Sequence, residues 1–356
     1  MAATMPPVRI AVIGAGMIGR AHIERLLADP QCAVAGIADP VPEARAWAEA
    51  QGLRAFADPA EMLEATEPEG AIVATPNALH LAHAQACAER RVAMMVEKPL
   101  ADTLPAASRL TTIARDAGVP LLVGHHRRHS PIIEKAREVV TGGALGQLTA
   151  IASLWMLRKA DDYYEAAWRR EPGAGPVLNN LVHDLDDLRF VCGEIESVQA
   201  AVSSKARGFA VEDTAVVTLR FASGALGTAT VSDAVPAPWS WELTSGENAF
   251  YPPQPTENCY LIAGTRGSLS VPRLELWRYE GAQGWSAPLS RRQLDVVPAD
   301  PLARQLSHFC RVIRDDEAPR VTGEDAMRTL ACAAAVHRAA ASGATVAIDS
   351  VLAAIH

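Results

Sequence analysis

The stretch that most constrains this chain lies at residues 8–19. A β-branched apolar run, VRIAVI, passes directly into GAGMIG. Residues 17–28 then show helical periodicity, with Ile18, Ala21, Leu26 and Leu27 as the apolar members. Gly14, Gly16 and Gly19 thus fall on a strand-to-helix turn in G-x-G-x-x-G spacing. In a chain with 24 glycines the spacing alone is weak; its placement is what carries weight. Gly14 permits the tight turn, Gly16 lets backbone approach a pyrophosphate, and Gly19 lets the helix pack close to the strand. The helix N-terminus, with Met17 and Ile18 in its first turn, faces the anion. Asp39 lies 20 residues after Gly19, at the end of the next apolar run, AVAGIAD. A carboxylate there accepts hydrogen bonds from an adenosine ribose and repels a 2′-phosphate. The expectation is a dinucleotide site that takes NAD in preference to NADP. The plainer alternative is a set of turn glycines followed by a solvated Asp.

The rhythm begun there continues. Apolar runs at 70–75, 92–97 and 120–124 alternate with helical patterns at 42–52, 78–90 and 104–117. Nearly all-apolar strands alternating with helices specify a parallel sheet covered on both faces, a doubly wound α/β Rossmann fold. After about residue 145 the period becomes two, at 147–157, 196–204, 212–222 and 224–232, with a hairpin turn at 222–224. Further strands follow at 259–279, and helical patterns return at 300–316 and 323–342. Residues 233–256, rich in Pro, Trp and Ser, read as a long loop. This second part reads as an α+β domain with a large, mostly antiparallel, open-faced sheet. The expected division is 1–125 for nucleotide binding and 126–356 for substrate binding and oligomerisation, the C-terminal helices being candidates to pack back on the first domain. An alternating strand set with few covering helices leaves apolar area exposed, so a homo-dimer or homo-tetramer through that sheet is expected.

Composition excludes several classes. A net charge of -8 with only short basic clusters argues against nucleic acid. The longest stretch free of Asp, Glu, Lys and Arg, 70–88, contains Pro76, Asn77, His80 and His83 and is no bilayer span. The N-terminal MAATMPPVRIAVIGAG lacks a basic n-region and a cleavage pattern. Six scattered cysteines without metal or redox spacing read as reduced thiols. The expected setting is soluble and cytoplasmic.

The run VAMMVE ends in Lys98 and Pro99, at the carboxyl end of a strand, where open parallel sheets bind ligands. TPNALH at 75–80, after the preceding strand, lines the same edge. Together GAGMIG, ATPNALH at 74–80 and VEKPL at 96–100 resemble the Gfo/Idh/MocA oxidoreductases. The likeness extends through WRREPGAGPVLNNLVHDLDDLRFVCG at 168–193, similar to that family's glycine-rich segment and catalytic helix. The resemblance implies hydride transfer between a nicotinamide and a hydroxyl or keto carbon of a sugar, cyclitol or sugar acid. It implies that Lys98 contacts the reacting hydroxyl and the cofactor, and that the bond before Pro99 is cis. Thr75, Pro76, Asn77, His80 and Glu97 join Lys98 as expected cofactor contacts. A dihydrodiol- or imine-type reductase and a non-catalytic NAD-binding regulator are the alternatives within the family. For Lys98 itself, a surface lysine paired with Glu97 is the bland alternative.

Asn179 and His183 are four apart in a helical stretch and share a face. An alcohol losing hydride must also lose its hydroxyl proton, and an imidazole is suited to take it. The family commonly has Asp where this chain has Asn179; an amide bonds a hydroxyl but takes no proton. Lys98, His183 and Asn179 are the expected catalytic group; Asp187 returns to the same face as a candidate to orient the imidazole, a solvated or ion-paired carboxylate being the commoner state. Arg127, Arg128, Tyr164 and Arg169, with Asn179 and His183, are the expected substrate contacts; ion pairing within the second domain is the alternative for the arginines. His125 and His129 are spaced for a metal on a helix, but they lack a carboxylate and lie in a loop-like stretch, so no metal is expected. Trp155, Trp239 and Trp241 read as packing residues before sugar platforms.

Overall fold

The structure, a computed structural model, describes residues 6–315 and 317–355. Residues 1–5, part of the N-terminal stretch read above, lie outside the described residues. The chain divides into two compact units. One contains the residues up to His126 together with Pro301–Met327; the other contains Arg127–Asp300 and Arg328–Ala354.

The first unit is a six-stranded parallel sheet. Its strands are β1 (Val8–Ile13), β2 (Cys32–Ala38), β3 (Ala55–Phe56), β4 (Gly70–Val73), β5 (Ala93–Val96) and β6 (Leu121–Val123). Helices α1 (Met17–Ala28), α2 (Pro42–Ala50), α3 (Pro59–Thr66), α4 (His80–Glu89) and α5 (Leu104–Ala117) connect them. The order is β3-β2-β1-β4-β5-β6, so the winding reverses between β1 and β4. Every residue of β4 and β5 is buried, as strands covered on both faces require. Local chemistry sets the helix ends. The Asp58 side chain accepts the Glu61 N–H at 2.9 Å to start α3. Gly118, at φ 65°, ends α5 in the left-handed conformation. The sequence pattern missed β3 and α3: two residues cannot show alternation, and an eight-residue helix gives barely two turns of periodicity.

The second unit opens with α6 (Pro131–Thr141) and β7 (Leu148–Met156). A π-helical turn, Val177–Leu181, leads into α7 (Val182–Cys192). Strands β8 (Ile195–Ser203), β9 (Thr214–Phe221) and β10 (Leu226–Ser232) follow, then α8 (Trp241–Thr244). That single short turn is the one helix within the long loop expected at 233–256. β11 (Tyr260–Gly264), β12 (Ser268–Val271), β13 (Glu275–Arg278) and β14 (Ser290–Gln293) complete the run. α9 (Pro301–Arg314) lies in the first unit, and α10 (Gly323–Ser342) starts there. β15 (Val346–Ala347) and α11 (Ile348–Ala353) end the described chain in the second unit.

The nine strands of the second sheet run β14-β13-β12-β11-β7-β10-β9-β8-β15. The pairings are antiparallel except β7 with β10. β9 shows the alternation plainly: Ala215, Val217, Leu219 and Phe221 are buried while Val216, Thr218 and Arg220 face out. The outward face keeps Val216, Leu226 and Leu261 exposed. The six cysteines are free and buried. Among the described residues, no helix is long and apolar enough to cross a membrane.

Candidate active site

The glycine turn is built as its chemistry demands. Gly14 has φ 97°, and a Cβ on it would lie 2.6 Å from the Ala74 carbonyl oxygen. A Cβ on Gly19 would lie 2.0 Å from the Gly14 carbonyl oxygen, so α1 could not come this close to β1 with any other residue. Gly16 differs: nothing lies within 4 Å of where its Cβ would be. It is the N-cap of α1, with no side chain capping the helix, and the first-turn N–H groups remain available to an anion. The residues present therefore fit a dinucleotide pyrophosphate.

Asp39 closes this half. It is buried; its Oδ2 accepts the Ala15 N–H at 2.8 Å and its Oδ1 the Val41 N–H at 2.9 Å. It braces the turn from behind, in addition to the ribose role expected of it.

Across β4 and β5 the placements are mixed. Thr75 is half-buried, and its hydroxyl meets His83 Nδ1 at 3.1 Å. Pro76 is exposed and Asn77 half-buried. His80, expected to touch cofactor, is 0% exposed. Its ring nitrogens meet the Thr75 carbonyl at 2.9 Å and the Leu100 carbonyl at 3.3 Å, so it ties two loops together. Burial lowers its pKa against the pull of those carbonyls and of Glu97.

Glu97, also expected at the cofactor, is turned inward. His22 Nε2 meets its Oε1 at 2.7 Å, and the Lys98 N–H donates to its Oε2 at 3.2 Å. Burial pushes its carboxyl up, but the His22 hydrogen bond and charge, with the charges of His126 and Lys98, outweigh that and hold it below its usual value. Lys98 is half-buried, and its bond to Pro99 is cis. Both corrections have one cause: His80 and Glu97 have no surface to offer.

In the second unit the helix bearing His183 begins irregularly. In the π-helical turn the Asn179 N–H reaches the Gly175 carbonyl at 3.1 Å, and its side-chain amide donates to the Ala174 carbonyl at 2.6 Å. Glu212 accepts the Val177 N–H at 3.2 Å and faces His337 at 3.4 Å. A Cβ on Gly175 would lie 2.2 Å from the Glu212 carboxylate, so glycine here lets that anchor close. His183 sits in the first turn of α7, 7% exposed.

The rest of α7 is a row of buried ion pairs, and these overturn several expectations. Arg127 is 2% exposed. It donates to Asp184 (2.8 Å), Asp187 (3.2 Å), Glu242 (2.7 Å) and the Tyr260 hydroxyl (3.1 Å). Arg128 holds Asp186 through two hydrogen bonds of 2.8 and 2.7 Å. The arginines thus take the alternative role, pairing within the unit. Asp187 belongs to Arg127 and Tyr260, not to an imidazole-orienting position. Burial raises Asp184 to about 6 and Asp187 to about 8, against the opposing charge of Arg127. Tyr164 is buried and donates to Asp233 at 2.5 Å, so it too is scaffold. Arg169 is half-buried, its guanidinium 4.0 Å above the Tyr163 ring and donating to the Tyr163 carbonyl at 2.6 Å. Trp155 and Trp241 are core residues, Trp155 donating to Glu242 at 2.7 Å, while Trp239 is partly exposed. Among the described residues, no group of His, Cys, Asp and Glu is arranged to hold a metal.

Two polar residues were missed. Lys159, half-buried beside the start of α7, donates to Asn180 Oδ1 at 2.8 Å and lies 3.6 Å from Asp233. Burial lowers its pKa despite Asp233. Its signal was a lysine at the end of β7, the kind of position that singled out Lys98. His22 was the other, a buried histidine one turn beyond Gly19 on α1.

The first unit is that of a dinucleotide-binding protein. A model of the oxidoreductase family with NAD-binding Rossmann fold, GFO_IDH_MocA, matches residues 8–125. A second, for the GFO/IDH/MocA C-terminal domain, matches 133–270. The chain belongs to the Gfo/Idh/MocA oxidoreductase family. It is 27% identical over 351 residues to inositol 2-dehydrogenase 2 of Saccharopolyspora erythraea, covering 96% of this chain and 95% of that one. It is 27% identical over 187 residues to the rhizopine catabolism protein MocA of Rhizobium meliloti, a match spanning 52% of this chain and 57% of the relative. Among solved structures, the WlbA dehydrogenase from Bordetella pertussis, in complex with NADH and UDP-GlcNAcA, superposes with a TM-score of 0.79 at 25% identity, covering 96% and 98% of the two chains.

Proposed function

We propose that this protein is an NAD-dependent dehydrogenase acting on a CH–OH group of a sugar, cyclitol or sugar acid. The observation that carries the reading is Lys98, a half-buried lysine at the carboxyl end of β5, two strands from the open glycine turn in the same sheet. Gly14, Gly16, Met17, Ile18 and Gly19 would hold the pyrophosphate, Asp39 the ribose, and Thr75, Pro76 and Asn77 the nicotinamide half. The bound nicotinamide supplies the hydride acceptor or donor. Lys98 presents an ammonium to the reacting hydroxyl, and His183 takes the hydroxyl proton on oxidation. Asn179 bonds a substrate hydroxyl, leaving His183 as the proton acceptor. Arg169 and Lys159 offer donors for further hydroxyls. With Arg127 and Arg128 committed to internal carboxylates, their support for a substrate carboxylate falls away.

Asp39 favours NAD over NADP. The exposed Val216, Leu226 and Leu261 support a homo-oligomer through the open sheet, which a monomer in light scattering would sink. The scattered free thiols favour a reducing cytoplasm.

The test is a panel of inositols, aldoses, sugar acids and diols followed at the NADH absorbance band. Turnover of a polyol is expected, with Lys98→Ala and His183→Ala each lowering kcat about 10²–10⁴-fold. Tight NAD binding with no turnover across the panel would overturn the enzyme reading in favour of an NAD-binding regulator.

A further inference from the structure

Glu97 is 4% exposed and surrounded by bases. His22 reaches it from α1, His126 acts from beyond β6, Lys98 follows it in the chain, and its own charge acts on His80 of α4. Both carboxylate oxygens are pinned: Oε1 to His22 at 2.7 Å and Oε2 to the Lys98 N–H at 3.2 Å. The strand beside it makes room. A Cβ on Gly124 would lie 3.0 Å from the Glu97 Cα, Cδ and Oε1, tighter than a side chain tolerates without displacing it. Burying a carboxylate is costly unless it is paired and hydrogen-bonded, and at 4% exposure Glu97 has almost no surface with which to touch ligand. Its charge acts at short range, and the residue whose backbone N–H it holds is Lys98, whose charge in turn acts on it.

We propose that Glu97 is a positioning residue: its carboxylate, pinned by His22 and by the Lys98 amide, is the fixed counter-charge that keeps Lys98 protonated and in place for the alcohol. This rests on the assignment of Lys98 to the reacting hydroxyl. His22 hangs from the helix that starts at the glycine turn, so the same pin ties the strand end bearing Lys98 to the helix that would meet the pyrophosphate.

The chain has four lysines, Lys98, Lys135, Lys159 and Lys205. After reductive ¹³C-methylation their titrations can be followed one by one by NMR, with Lys98→Arg assigning the signal. No substrate is needed. In Glu97→Gln, which keeps the shape and loses the charge, the Lys98 midpoint moves to lower pH by about one unit, because an opposite charge at close range stabilises the protonated form. The other three lysines stay put, and NAD affinity measured by calorimetry stays within about threefold. Turnover at neutral pH falls about tenfold or more in kcat with the substrate KM little changed. His22→Leu lowers kcat as well, and His22→Gln, which restores a neutral donor to the carboxylate, recovers most of it. A folded Glu97→Gln with an unmoved Lys98 midpoint overturns the proposal. Should that variant not fold, Glu97→Asp takes its place: the charge withdraws by one methylene, and a smaller fall supports the proposal while none overturns it. In the unsubstituted protein, a Lys98 midpoint more than about two units below that of an ordinary lysine overturns it with no variant at all. Loss of turnover in Lys98→Ala beside an unmoved midpoint in Glu97→Gln would leave the dehydrogenase reading standing and end this one. A moved midpoint beside a protein that turns over nothing would keep Glu97 as the counter-charge of Lys98 and end the dehydrogenase reading, and with it the catalytic purpose of the pair.

Discussion

Each unit buries a charge among its opposites, and the two arrangements are not mirror images. In the first, one carboxylate, Glu97, sits among His22, His80, His126 and Lys98. In the second, one guanidinium, Arg127, sits among Asp184, Asp187 and Glu242. A surplus histidine can give up its proton at neutral pH, so the excess of bases around Glu97 costs little and its carboxyl is held low. A surplus carboxylate is relieved only by taking a proton up, and Arg127 has none to give. Burial therefore raises Asp184 to about 6 and Asp187 to about 8 although both touch an arginine. Asp184 Oδ2 and Asp187 Oδ1 are buried without a hydrogen-bond partner, so each carboxyl has an oxygen whose ionised form nothing stabilises. The direction of a buried pair's shift follows from the charge count and from which partner can change its protonation.

The strongest way to break this comparison is Arg127→Met. Removing the one cation leaves three carboxylates uncompensated, and losing one partner of a buried pair costs about 3–5 kcal/mol. Urea unfolding followed by tryptophan fluorescence reads the second unit, which holds six of the seven tryptophans. The loss should be larger at pH 8 than at pH 5, because low pH supplies the protons the carboxylates then need. A loss below about 1 kcal/mol at pH 8 would show that Arg127 is not what holds the cluster.

A pH scan of the intact protein comes next in size. Asp184 and Asp187 have folded-state values above their ordinary 3.8, so their contribution to stability is complete below about pH 4 and is lost as pH rises through about 6 and about 8. Glu97 is shifted the other way: its contribution is present above its ordinary value of 4.5 and is lost as pH falls through its lower folded value. Hydrogen exchange, corrected for intrinsic rates, should show α7 losing on the order of 2 kcal/mol of protection from pH 5 to pH 8. Over that window β5 loses none and gains where the buried His80, held below its ordinary 6.5, no longer has to take up a proton. Parallel behaviour of the two segments would remove the distinction between the clusters.

What the sequence revealed and what it concealed divide along the same line. The glycine turn was legible because its requirements are local: strand, three glycines and the start of the helix lie within residues 8–19, and Gly14 and Gly19 are needed for contacts that the spacing itself implies. The alternation of β9 was legible for the same reason. The partners of Arg127 lie 57, 60 and 115 residues away, and His22 lies 75 residues from Glu97. No periodicity reports such distances, so the basic residues that follow the last Rossmann strand looked like substrate contacts when their charge was already committed to internal carboxylates. The π-helical turn at Val177–Leu181 was equally silent. One of its anchors is Glu212, 35 residues from Val177, which no local pattern announces.

The smallest change that still sharpens the comparison is Tyr260→Phe. The Tyr260 hydroxyl lies 2.6 Å from Asp184 Oδ1 and 2.9 Å from Asp187 Oδ2, and it accepts from Arg127 at 3.1 Å. It can donate to only one carboxylate at a time, so it stabilises the ionised form of whichever aspartate has released its proton. Removing it costs about 1–2 kcal/mol, the range for a hydrogen bond to a charged group. It should also carry the high-pH loss of stability in the second unit to higher pH still, because the carboxyls lose a donor that favoured ionisation. The same substitution leaves the first unit's exchange profile as it was. A stability loss with an unmoved pH profile would mean that the hydroxyl only fills space, and that Arg127 alone sets where the two aspartates titrate.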